Sequence, residues 1–178
     1  MYENIIFLDV DGVLNSLPFC NSRKPSDIDI NAENLKWLSE LYHTSHAKIV
    51  LSSTWKELAY CSDPFCHRMY QELENSLKKY GMYIFSQTPC VNGNRPAEIK
   101  AWLNTYQSNS KICFVSLDDD FHEEDYEKVG IGGHLVQTKY FCNSLEEGGL
   151  QQQHVTQALN ILAKVAATRT TGGSGRWL

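Results

Sequence analysis

Ile5-Ile6-Phe7-Leu8-Asp9-Val10-Asp11-Gly12-Val13-Leu14-Asn15 opens as an almost wholly apolar run and then turns abruptly polar. Such a run, rich in β-formers, reads as a central strand buried on both faces. A strand of this kind delivers Asp9 and Asp11 to the carboxyl edge of a parallel sheet, where open α/β folds bind their ligands. Gly12 lets the chain turn sharply without a Cβ clash. Two acids so close repel each other unless a cation lies nearby, so a Mg²⁺ site is their natural companion. The plainer reading, a strand-end Asp followed by an Asp-Gly turn, is common in α/β proteins.

Two further apolar runs end in the same way. Ala47-Lys48-Ile49-Val50-Leu51 stops at Ser52-Ser53-Thr54-Trp55-Lys56, and Lys111 to Leu117 stops at Asp118-Asp119-Asp120. Between the runs lie helical patterns. Asn31 suits an N-cap, with Leu35, Leu38, Leu41 and Tyr42 predicting a helix over residues 32–44. Pro64 opens a second helix, with Met69, Leu73, Leu77 and Tyr80 inside and Gly81 as its stop. Pro96 suits the first turn of a third, with Ile99, Trp102, Leu103 and Tyr106 on one face. A last helix follows Gly148 and Gly149, its inner face formed by Val155, Ala158, Leu159, Leu162 and Val165. Met82–Phe85 and His134–Thr138 are expected as short strands, and residues 15–30 and 86–94 as loops. Strands alternating with helices predict an α/β fold: a mostly parallel central sheet with helices on both faces, Rossmann-like and three-layered.

Composition sets bounds on function. The 178 residues suit one domain, residues 1–167, followed by a flexible tail over 168–178 rich in glycine and serine. The formal net charge of −5 supplies no overall basic field for nucleic acid. No apolar run is long enough to cross a bilayer, and the N-terminus lacks a signal-peptide pattern, so a cytoplasmic location without membrane association is expected. The six cysteines show no paired CxxC spacing and are expected as thiols. Cys61, Cys66 and His67 cluster locally but lack a second ligand pair for zinc. His122, His134 and His154 are read as surface or packed residues, and Trp55 and Trp102 as core.

In a parallel sheet the polar ends of the three strands share one edge, and Arg95 stands just ahead of a helix between the second and third. Acids, hydroxyl and guanidinium together suit phosphoryl transfer, in which a carboxylate attacks phosphorus and cations neutralise the phosphate oxygens. Each piece also has a bland use: Ser52 and Ser53 as loop starters, Arg95 as a solvated charge, Asp118–Asp120 as caps of the next helix.

At this point the chain resembles a family. Asp9-Val10-Asp11-Gly12-Val13-Leu14 is similar to the first motif of the haloacid dehalogenase (HAD) superfamily. Ser52 resembles the second, Arg95-Pro96 the third, where the superfamily more often has lysine, and Leu117-Asp118-Asp119 the fourth. The fuller wording is similar to the HAD domains of compact, Swiss-army-knife RNA repair proteins. The resemblance implies a Mg²⁺-dependent phosphatase with Asp9 as nucleophile and Asp11 as general acid and then base. It implies phosphate contacts from Ser52, Ser53 and Arg95, with Lys100 as substitute for Arg95. It implies a metal held by Asp9, Asp11 (through its backbone carbonyl), Asp118 and Asp119. The gaps between motifs leave no room for a substantial cap domain, so an open site is expected, able to admit a large phosphorylated substrate such as a nucleic-acid end. A catalytically silent metal- or phosphate-binding module, a small-molecule or nucleotide phosphatase, and a receiver-like domain remain alternatives. The absence of a glycine-rich phosphate loop argues against a P-loop or dinucleotide fold.

Overall fold

The computed structural model describes residues 2–24 and 28–167, with side chains described up to residue 164. Five strands, β1 (Tyr2–Leu8), β2 (Lys48–Leu51), β3 (Ile84–Gln87), β4 (Lys111–Asp118) and β5 (Leu135–Gln137), form one sheet in the order β3-β2-β1-β4-β5. Every neighbouring pair is parallel. β1 lies at the centre, with Leu8 opposite both Leu51 and Leu117.

The apolar runs are continuous because both sheet faces are covered. On one face Ile6, Leu8, Ile49, Leu51, Val115 and Leu117 pack beneath three helices. These are α2 (Ala32–Ser45), α4 (Pro64–Lys79) and α7 (Gln152–Ala167). On the other face Ile5, Phe7, Val50 and Phe114 meet α5 (Arg95–Thr105) and α6 (Glu123–Lys128) through Ile99, Trp102 and Tyr126. Phe7 contacts Trp102 and Phe114 edge-on, at centroid distances of 5.3 and 5.7 Å, which suits the ring quadrupoles. The three-layer α/β core expected from the sequence is the fold observed.

The helix starts follow local chemistry. The Asn31, Asp63 and Asn94 side chains accept from the backbone N–H of Glu33, Phe65 and Ala97 respectively, satisfying donors that a helix start leaves unpaired. Two short helices add to the expected elements: α1 (Leu17–Ser22), within the loop expected over residues 15–30, and α3 (Trp55–Leu58), shortly after the second strand. β3 begins two residues later than expected, because Met82 is drawn wholly into the core and the pairing with β2 falls on Ile84, Ser86 and Gln87. The six-residue α1 is the only helix between β1 and α2 among the described residues, consistent with a fold without a substantial cap. No helix among the described residues is long and apolar enough to cross a membrane. The expected tail over 168–178 and the inward side chain of Val165 lie outside what the structure describes.

Candidate active site

The sheet hydrogen-bond ladder continues past the strand ends and fixes the residues that follow. Asp9 N–H donates to the Leu117 carbonyl (3.1 Å), Ser52 N–H to that of Leu8 (2.8 Å), and Thr138 N–H to that of Asp118 (2.9 Å). The polar tips are therefore held by the same backbone pairing that builds the sheet.

Asp9 and Asp118 are almost completely buried, and a single nitrogen of Arg95, Nη1, joins them: 2.8 Å to Asp9 Oδ2 and 3.2 Å to Asp118 Oδ2. Arg95 reaches them from the first turn of α5 and is itself 7% exposed. The second oxygen of Asp9 accepts from Val10 N–H at 2.7 Å. Asp118 Oδ1 accepts from Asp120 and Phe121 N–H at 3.0 and 3.3 Å.

Carboxylate oxygens of Asp9, Asp118 and Asp119 all lie within 4.8 Å of one another. With all three carboxylates ionised, one guanidinium would leave an excess of two negative charges, which the buried site resists. Burial pushes the Asp118 carboxyl up to about 7, aided by repulsion from Asp9 and opposed by Arg95. Asp119 is likewise raised to about 7, by burial and by its acidic neighbours Asp120, Asp9 and Asp118. Burial also raises Asp9, against the pull of Arg95 and a hydrogen bond from Ser53.

Gly12 explains how Asp119 comes so close. It adopts a left-handed φ of +71°, and a Cβ placed there would fall 2.1 Å from Asp119 Cγ. The glycine thus serves the turn expected from the sequence and also clears the space that the carboxylate fills.

Asp11 stands apart from the three-acid group. Its side chain is exposed, and each oxygen is held: Oδ2 by the indole Nε1–H of Trp55 at 2.8 Å, Oδ1 by the Asn15 amide Nδ2 at 2.8 Å. Ser52 is 1% exposed, and its hydroxyl has no protein partner. A buried hydroxyl beside the acids with nothing to bond is suited to a ligand oxygen.

The expected site residues thus divide. Asp9, Arg95, Asp118 and Asp119 converge, and Ser53 reaches Asp9. Lys100 does not join them: it is half-buried and makes no ion pair with these acids among the described residues. Five residues along a helix turn the side chain by roughly 140° away from Arg95, so Lys100 leaves α5 from a different face.

Trp55, expected only as core, is buried yet spends its one polar atom on Asp11. Asn15 is the other residue that sequence reasoning left without a role. The usable signal for Trp55 was that a buried indole N–H needs a partner.

A family model described as the HAD domain in Swiss Army Knife RNA repair proteins matches residues 5–155. The chain belongs to that HAD family. None of the curated proteins matches the chain. Every residue of the HAD-like acid, hydroxyl and guanidinium set lies inside the matched span.

Proposed function

We propose that this HAD domain is a Mg²⁺-dependent phosphomonoesterase working through an aspartyl-phosphate on Asp9, with phosphorylated nucleic-acid ends as its substrate class. The observation that carries the proposal is Arg95 Nη1 lying between Asp9 and Asp118, which sets a fixed positive charge beside the candidate nucleophile. A phosphate bound against that guanidinium would sit within reach of Asp9.

The donor set fits a magnesium ion. Hard carboxylate oxygens from Asp9, Asp118 and Asp119 are grouped closely, and they carry the excess negative charge that a divalent cation balances. These residues, with the Asp11 backbone carbonyl, would hold it. Bound there, Mg²⁺ supplies charge neutralisation at the phosphoryl oxygens.

The protein's own residues do the rest. An Asp9 oxygen attacks phosphorus while the bond to the leaving oxygen breaks, and Asp11 gives that oxygen its proton. Arg95 and the Ser52 hydroxyl orient the phosphoryl group. Asp11 then takes a proton from the water that attacks phosphorus, and Asp9 is released as a carboxylate. Two features support a large substrate: the family description, and the lack of a covering domain over the exposed Asp11 among the described residues.

The test is phosphate release from a panel of aryl phosphate, nucleotides, and 3′- and 5′-phosphorylated oligonucleotides, with Mg²⁺ or with chelator. Metal-dependent turnover that Asp9→Asn abolishes, and that is highest on oligonucleotide ends, is the expected result. A folded wild type that releases no phosphate from any of them identifies the chain as a silent binding module.

A further inference from the structure

Asp11 is an exposed carboxylate, and exposed carboxylates ordinarily rotate freely. This one has a protein donor on each oxygen, and both donors come from buried side chains. Trp55 is 5% exposed and packs among the apolar core residues of the α2/α4/α7 face. Its ring cannot move without repacking that core, so its N–H is a fixed point.

Asn15 is 1% exposed, and its amide is oriented from both ends. Its Oδ1 accepts from Gly12 N–H at 3.0 Å, so Nδ2 must face the other way, where it donates to Asp11 Oδ1 and to the Asp29 carbonyl at 3.0 Å. Two rigid donors therefore define the plane of the carboxylate. Each oxygen of this exposed side chain retains one lone-pair direction not taken by these two donors.

From this geometry we infer that Trp55 and Asn15 are positioning residues for Asp11, holding its carboxyl group so that its free side presents a proton to the leaving oxygen. The inference rests on the phosphatase reading above and adds to it the parts that aim the proton. In the step concerned, the electron pair of the breaking P–O bond stays on the leaving oxygen, and the Asp11 proton is transferred to it. Aim matters most when the leaving oxygen is a poor one. An alkoxide must be protonated as it departs, whereas a nitrophenolate departs with little help.

The experiment compares two substrates: p-nitrophenyl phosphate, and an alkyl phosphate such as glycerol 2-phosphate. Trp55→Phe keeps the ring in the core and removes the N–H. We expect its kcat on the alkyl phosphate to fall by about tenfold or more, and on the aryl phosphate by less than about threefold, with KM little altered. Asn15→Ala removes the other donor while leaving Trp55 in place, and carries the same signature should Trp55→Phe fold poorly. In an Asp11→Asn background, Trp55→Phe should add no further loss.

Equal losses on both substrates, no loss on either, or a full multiplicative loss in the double variant would each overturn the inference while leaving the phosphatase reading intact. A folded wild type inactive on both these substrates and on phosphorylated oligonucleotides would instead overturn the reading itself, and the inference with it.

Discussion

The ammonium of Lys56 lies 2.6 Å from the carboxylate of Glu98, and both side chains are almost entirely buried. The pair ties α3, which carries Trp55, to α5, which carries Arg95. Its remaining bonding capacity is used: Lys56 also donates to the Thr88 hydroxyl (3.1 Å) and the Pro89 carbonyl (3.4 Å), and Glu98 Oε1 accepts from Val91 N–H (3.0 Å).

Removing one partner strands a buried charge. Lys56→Met should therefore destabilise the fold by about 3–5 kcal/mol, whereas Lys56→Met with Glu98→Gln should recover a large part of that. Urea denaturation of the two variants checks this. A double variant no more stable than the single one would contradict it.

Gly12→Ala adds one methyl group where Asp119 Cγ would be 2.1 Å away, at a φ of +71°. The carboxylate has to leave, and the turn is strained by roughly 1–3 kcal/mol besides. We expect weakened Mg²⁺ binding together with a lower Tm. Calorimetric titration with Mg²⁺ measures the first, and unchanged affinity would show that Asp119 takes no part in holding the ion.

Mg²⁺ itself should stabilise the protein. A ligand that binds only the folded state adds about 2.7 kcal/mol when present at one hundred times its Kd. The rise in Tm should vanish on chelation and be absent in Asp118→Asn, which gives up one of the three grouped carboxylates. An equal rise in that variant would move the ion elsewhere.

His154 supplies a pH dependence away from these acids. Its Nδ1 accepts from Gln151 N–H at 3.0 Å, at the start of α7, so the ring must be neutral. Burial holds its pKa below the ordinary 6.5, and Lys139 pushes in the same direction. The unfolded chain therefore binds this proton more readily than the folded one. The stability that neutral His154 contributes is present above pH 6.5 and is lost as pH falls through the lower folded value. His154→Gln should flatten this acid limb in thermal melts recorded at a series of pH values, and an unaltered slope would exclude His154 as its source.

Much of this was legible in the chain. β1, β2 and β4 announced themselves because a strand covered on both faces must be apolar throughout, and the polar tips at 9, 52 and 118 stood out against those runs. What stayed hidden was local or long-range. α1 and α3 are too short to show a period, with six and four residues. β3 is an edge strand whose Ser86 and Gln87 read as loop, yet Ser86 accepts from the Trp102 indole and Gln87 donates to the Tyr70 hydroxyl. The contact from Trp55 to Asp11 spans 44 positions, and no local pattern encodes it.

The pairing of Leu8 with Leu117 carries a last consequence. Asp9 and Asp118 are the next residues along, so they meet only at this one alignment of the central strands. A slip by a single notch would turn one of the acids to the opposite side of the sheet. Turnover would then serve as a gauge of folding fidelity: molecules one step out of alignment could match the native spectrum of helix and strand and still be chemically mute.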